Sequence, residues 1–322
     1  MAIEHRLTLS RPAIAGIAGT FLLMGMIGAA YGPLLEHLAS RFSLTLPIAG
    51  AAISVHFSGA LVGTLVSMWT MTKVSGRASV VAPTAVLAAG CVTVAVAPRW
   101  EPFLLGVSVL GLGWGSLVIA LNQLVAFSEG ARRSALLNAL NGAYSAGAVA
   151  APVLVSTYAA SHFWWLYGGA ALLALLLIPF ASGVSGRLEL RRPVGSGRNR
   201  ALIVTFVVAF VAYVAVEAGT AGWMTSHLES TGLLSRDAAL LTSGFFLALV
   251  AGRLLITLTP DRVPERAIVL TCSSLAVGTL LVAASGRFAP EAYIATGLVI
   301  APIFPTAIVW LAKANPGDPS AT

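Results

Sequence analysis

The sequence predicts an all-α polytopic membrane protein with about ten transmembrane helices arranged as six plus four. Three observations predict it. The chain is 57% hydrophobic and 10% charged over 322 residues, whereas ordinary soluble domains carry roughly a quarter charged residues. The apolar residues fall in long runs, each near the roughly 20 residues that a bilayer core demands of a helix. The polar gaps between the runs hold most of the Lys and Arg. A mean hydropathy of +0.89 leaves too little polar surface to cover a soluble globule.

The ten runs lie near 12–38, 46–73, 78–97, 101–127, 134–158, 163–182, 200–226, 236–259, 267–286 and 289–312. Frequent Gly and Ala favour helices, which satisfy their backbone internally in lipid. Met1–Arg11 is a short polar leader, and the run after it is too long for a cleavable signal core. It reads as the first span. Placing the N-terminus in the cytoplasm puts only Arg41, Arg99, Arg236 and Arg287 on the far side, out of 19 Lys and Arg. Positive residues stay inside, so this asymmetry sets the orientation in a cell inner membrane. A net charge of +7 would suit nucleic acid, but its placement in membrane turns excludes that partner. Cys91 and Cys272 sit inside apolar runs and form no metal-ligand pattern. No metal and no cofactor is expected.

The polar gap from Ser182 to Arg200 is rich in Arg and Gly. It divides the chain into a six-helix bundle over 1–182, a cytoplasmic linker over 183–199 and a four-helix bundle over 200–322.

Ionisable groups at membrane depth are costly and tend to face a cavity or a partner. Glu217 lies in the middle of the seventh run, with Tyr213 and Thr220 on the same helix face. It is a candidate proton-coupling group or substrate hydrogen-bonding group. His56 in the second run is another candidate for proton coupling, since histidine titrates near neutral pH. A neutral histidine bonded across helices beside Gly59 and Gly63 explains it equally. Asn138, Asn141 and Ser145 recur on one face of the fifth run, and Asn122 ends the fourth. Amides offer donor and acceptor to a polyhydroxylated solute, and they also glue helices together. Tyr31, Trp114, Tyr144 and Trp223 could stack on a sugar ring. Trp164 and Trp165 read as interface anchors. Glycines at 25, 28 and 32, and at 111, 113 and 115, allow close helix approach. Pro302 and Pro305 interrupt the tenth run.

The turn after the second run carries Lys73, Gly76 and Arg77, and the turn after the eighth carries Asp261, Arg262 and Arg266. Both resemble the loop motif of the major facilitator superfamily, in which a carboxylate at a helix end meets an Arg and latches one conformation. Arg77, Asp261, Arg262 and Arg266 are therefore latch candidates. Further residues resemble the fucose permease-like branch, whose members are sugar–proton symporters. They are Asn122, Arg132-Arg133, Leu137-Asn138, Gly142, Gly147 and Pro152; Tyr213, Glu217 and Trp223; Gly252-Arg253; and Ala301-Pro302 through Pro305-Thr306. The resemblance implies a two-bundle fold, a monomer, and alternating-access transport of a sugar-like solute with protons. Superfamily members usually have twelve spans, so this sequence reads as two spans short. Fucose permease-type acids in the first and fourth helices have no counterpart here, so the family's proton-coupling route is not carried over to those helices.

An enzyme is not expected, since no hydrolase, metalloprotease or phosphate-loop motif occurs. The alternatives are a drug or metabolite efflux antiporter, favoured by Gly147 through Pro152, or a truncated membrane protein that does not transport.

Overall fold

The computed structural model describes residues 7–128, 133–159, 162–188, 200–255 and 263–314. Among them, ten helical segments are long and apolar enough to cross a membrane. Helices α1 (Arg11–Arg41), α2 (Leu46–Thr70), α3 (Ala78–Val96), α4 (Trp100–Phe127), α5 (Arg133–Leu154) and α6 (Phe163–Leu177) come first. After them follow α7 (Arg200–Ser230), α8 (Ser235–Leu255), α9 (Glu265–Ala284), α10 (Ala289–Ile300) and α11 (Ile303–Ala314). The tenth span is thus two short helices, because Pro302 and Pro305 supply no amide hydrogen to the carbonyls a turn before them. A π-helical turn, Val155–Ala159, extends α5 past Pro152. Helix starts follow ordinary chemistry: Ser10 caps α1 by accepting from the Ala13 amide, and α1, α2 and α10 carry proline in their first turn.

The chain divides into two compact units, Met1–Leu190 and Arg191–Thr322. Two close backbone seams organise the first. Along α2 and α4, a Cβ on Gly63 would meet the Leu112 carbonyl, and one on Gly115 would meet the Ala60 carbonyl. Ser116 donates to the Gly63 carbonyl at 2.8 Å across this seam. Along α1 and α5, Gly25 abuts the Tyr144 carbonyl and Gly147 the Leu22 carbonyl. Small residues let membrane helices touch backbone to backbone, where dispersion and hydrogen bonds replace the hydrophobic drive.

The end of the first unit that carries the α2–α3 turn closes with a short clasp. Strand β1 (Thr8–Leu9) pairs antiparallel with β2 (Val184–Ser185). The Gly76 amide of the α2–α3 turn donates to the Gly186 carbonyl at 2.9 Å. Leu7, Val184 and Leu188 are buried beneath it. Part of the stretch expected as linker is therefore ordered on the first unit, because Val184 and Leu188 are apolar side chains with a place to be buried. Residues 189–199 lie outside the described residues.

The second unit buries a core built from Met224, Leu228, Phe245, Leu249, Tyr293 and Ile300. Its α7 carries an exposed valine face at Val204, Val207, Val208 and Val211. Such a face suits acyl chains.

Candidate functional site

In the first unit the structure gathers Tyr31 of α1, His56 of α2, Trp114 of α4 and Tyr144 of α5. The glycines around Trp114 explain its aim. Gly111 and Gly115 lie against α2, and Gly113 lies against Leu87 of α3, so the indole takes the remaining side. Its Nε1 donates to the Met24 carbonyl of α1 at 3.1 Å. Its ring stands edge-on to His56 at 5.5 Å and to Tyr144 at 6.5 Å between centroids. Gly28 leaves room for the Tyr144 hydroxyl, which a Cβ there would meet at 3.2 Å.

His56 has 0% exposure. Its Nδ1 is hydrogen-bonded with the Tyr31 hydroxyl at 3.1 Å, and its Nε2 has no hydrogen-bond partner. A buried ring nitrogen left open is a bonding position that a solute or water can fill. The Gly111 position also abuts the His56 carbonyl, so His56 belongs to the glycine seam as well as to the aromatic cluster. Tyr167 of α6 and Cys91 of α3 lie beside Tyr31.

In the second unit Glu217 of α7 stands 3.7 Å from the guanidinium of Arg253 on α8. Both remain partly exposed, at 26% and 39% of the side chain. The buried Tyr213 hydroxyl, one turn before Glu217, lies within reach of both charges without a well-aligned hydrogen bond to either. Phe304 of α11 faces Tyr213 at 5.6 Å and Phe210 at 5.0 Å. Gly252, next to Arg253, presses on the Leu298 carbonyl. That carbonyl precedes Pro302 by one turn, so the break in the tenth span sits against the segment that carries Arg253.

Arg253 is the participant that the sequence reading missed as a site residue. The structure holds it in the last turn of α8, paired with Glu217. The signal was present in the Gly252-Arg253 dipeptide ending an apolar run. Glu265 pairs with Lys313, a contact no motif pointed to.

Other expected residues are placed differently. Asn122 donates to the Val118 carbonyl at 2.7 Å and Asn141 to the Leu137 carbonyl at 2.8 Å, each within its own helix. Trp223 is 39% exposed and joins neither cluster. Arg77 and Arg266 are exposed at the starts of α3 and α9. Asp261, Arg262 and the Asn138 side chain lie outside the described residues. Among the described residues, no three His, Cys, Asp or Glu side chains converge as a metal site.

Two cavities are lined by apolar side chains. One, of about 340 Å³, lies among Leu23, Met26, Tyr158, Trp165 and Tyr167. The other, of about 350 Å³, lies among Phe206, Phe210, Tyr213, Val269 and Trp310. Of the expected site residues only Tyr213 lines either.

Comparison with known proteins places this architecture. The family model of the Major Facilitator Superfamily matches residues 17–322. No curated protein matches the sequence. The crystal structure of a D-xylose-proton symporter is similar with a TM-score of 0.72 at 14% identity, covering 94% of this chain and 82% of that one. A peptide transporter crystallised with sulfate gives the same TM-score, identity and coverages. The nucleoside transporter NupG gives 0.68 at 12% identity, over 94% of this chain and 83% of its own. At these identities the likeness shows the fold. With the family model spanning nearly the whole sequence, the chain belongs to the Major Facilitator Superfamily and is a multi-pass secondary transporter of small molecules.

Proposed function

We propose that this transporter moves a sugar-like solute by alternating access, driven by protons that load on Glu217. The observation that carries the reading is the Glu217–Arg253 contact of 3.7 Å within the spans. Among the described residues Glu217 is the carboxylate nearest mid-span. A proton on it breaks the ion pair, so protonation and local conformation are linked. A proton-coupled cycle needs such a group, because a coupling ion can shift an equilibrium only by interacting differently with the two states.

The aromatic cluster of the first unit supports a ring-bearing solute. Tyr31, His56 and Trp114 supply faces, a hydroxyl and an open ring nitrogen. Asn122, Asn138, Asn141, Tyr213 and Trp223 are the further proposed contacts, and His56 is the second proposed proton group. The resemblance to fucose permease-like sequences supports a sugar. Arg77, Asp261, Arg262 and Arg266 are the proposed latch. The protein is placed in the inner membrane as a monomer, with its N-terminus cytoplasmic.

Uptake of labelled hexoses and deoxyhexoses into proteoliposomes, under an imposed proton gradient, tests the reading. Wild type is expected to accumulate solute, and Glu217→Gln to fall to the level of protein-free liposomes while keeping its melting temperature. Gradient-driven uptake that survives Glu217→Gln sinks the coupling role.

A further inference from the structure

The contact between Glu217 and Arg253 bears on the charge of the solute. Arginine stays protonated in proteins. Among the described residues its nearby balancing charge is Glu217, and the other ionisable groups on the helices packed against α7 are paired or lie away from Arg253, Glu291 in the first turn of α10 among them. Tyr293 of α10 is hydrogen-bonded with His227, and Lys313 of α11 is paired with Glu265. On α8, Arg236 and Asp237 lie in the first turn, at the opposite end from Arg253. When a proton neutralises Glu217, the guanidinium, in the last turn of α8, keeps its charge and loses its counterion. The lone guanidinium then favours an anionic partner in place of the carboxylate.

A neutral sugar does not repair this. Its hydroxyls can accept hydrogen bonds, but the loaded site keeps one net positive charge. A carboxylate does repair it, and the guanidinium fork matches a carboxylate in two parallel bonds. The geometry leaves room for such an exchange. At 3.7 Å the present pair is a loose single contact, against about 2.7–2.9 Å for a well-made charge-assisted bond. Donors of Arg253 are therefore free to turn to another acceptor, and its side chain is 39% exposed. Beside it the buried Tyr213 hydroxyl lies within reach of both Glu217 and Arg253 and forms no well-aligned hydrogen bond with either.

We propose that the solute carries a carboxylate: a hydroxylated monocarboxylate of the sugar-acid or hydroxy-acid class, held by Arg253 and Tyr213, and loaded with one proton on Glu217. The inference rests on the proton-coupled reading above and fixes what that reading leaves open. The charge balance is simple. The empty site holds Glu⁻ and Arg⁺. The loaded site holds neutral Glu, Arg⁺ and the bound anion. Both are neutral, so the proton enters with the anion on one side, leaves with it on the other, and no net charge crosses.

The test uses the full chain in proteoliposomes, with labelled gluconate and labelled glucose as probes. Acid-outside pH gradients and valinomycin-set potassium potentials are imposed separately. Gluconate uptake is expected to follow the pH gradient and to ignore the potential. Gluconate is also expected to raise the melting temperature of wild type, less so that of Arg253→Lys, and not that of Arg253→Gln. Because Arg253→Gln strands Glu217 and can fail to fold, the neutral double variant Glu217→Gln/Arg253→Gln is measured too. It should fold and show no gluconate shift. Glucose uptake without gluconate uptake overturns the inference and leaves proton-coupled sugar transport standing. Gluconate uptake that follows the potential overturns it as well. Arg253-dependent stabilisation without any uptake keeps the anion site and removes the transport reading. No uptake of either probe, with no stabilisation by gluconate, glucuronate or lactate, removes both.

Discussion

A ring buried as fully as His56 depends on its one hydrogen-bonded neighbour. Tyr31→Phe removes the partner of Nδ1 and leaves a second ring nitrogen unsatisfied, at an expected cost of about 1–3 kcal/mol. Melting in detergent reads the loss. Adding His56→Leu should cost less than the two single losses together, because the second change removes the group that the first one stranded. Strict additivity would show that the 3.1 Å contact carries no coupling energy. The pair of Glu217 and Arg253 sits at the other extreme. It is loose and partly exposed, so breaking it should cost stability by no more than about 1 kcal/mol. Glu217→Gln is expected to damage gradient-driven uptake far more than the melting temperature, and a large drop in melting temperature would mark Glu217 as structural. Individual residues were also where the sequence was hardest to read. Spacing showed that Asn141 shares a face with Ser145, but not that its amide donates back to the Leu137 carbonyl. Arg253 was legible as a charge and not as a partner, since its contact depends on how α7 and α8 pack.

Helices were read more surely, because length and hydropathy are local properties. The ten expected runs coincide with the ten spanning segments, and Pro302 and Pro305 announce the division of the tenth. The seams between helices were only half legible. Glycine at 111, 113 and 115 indicated close approach, but which neighbour each would meet required the structure. Gly115→Val drives side-chain carbon into the Ala60 backbone, and a backbone cannot swing aside. The expected cost is about 1–3 kcal/mol or more, read as lower melting temperature and lower yield. Gly168→Ala on α6 meets nothing within 4 Å and should leave both unchanged. Equal losses at the two positions would refute the α2–α4 seam as a backbone contact.

For the chain as a whole, the charge asymmetry of the sequence sets an expected orientation, and the structure divides into two units. The orientation is testable by thiol labelling in a background without Cys91 and Cys272. A cysteine at exposed Ser75, in the turn after α2, is expected to react only with membrane-permeant reagent in intact cells. One at exposed Ser235, the first residue of α8, should react with an impermeant reagent as well. The reverse pattern would invert the whole topology, since every span alternates with the next. The expected linker over 183–199 rests on arginine and glycine interrupting the apolar runs. The clasp was not legible, since a two-residue pairing between Thr8–Leu9 and Val184–Ser185 leaves no periodic trace.

The division of the tenth span governs how that span opens. A continuous helix shares its hydrogen-bond ladder, so its amides exchange with solvent as one cooperative block. At Pro302 and Pro305 the ladder has no rungs. Helix α10 is held to α8 through Gly252 and Gly297, which meet the Leu298 and Phe245 carbonyls respectively. Helix α11 rests on α7 and α9 through Phe304 and Lys313. The two halves should therefore lose deuterium protection in two separate steps, with Ile303–Ala314 exchanging ahead of Ala289–Ile300.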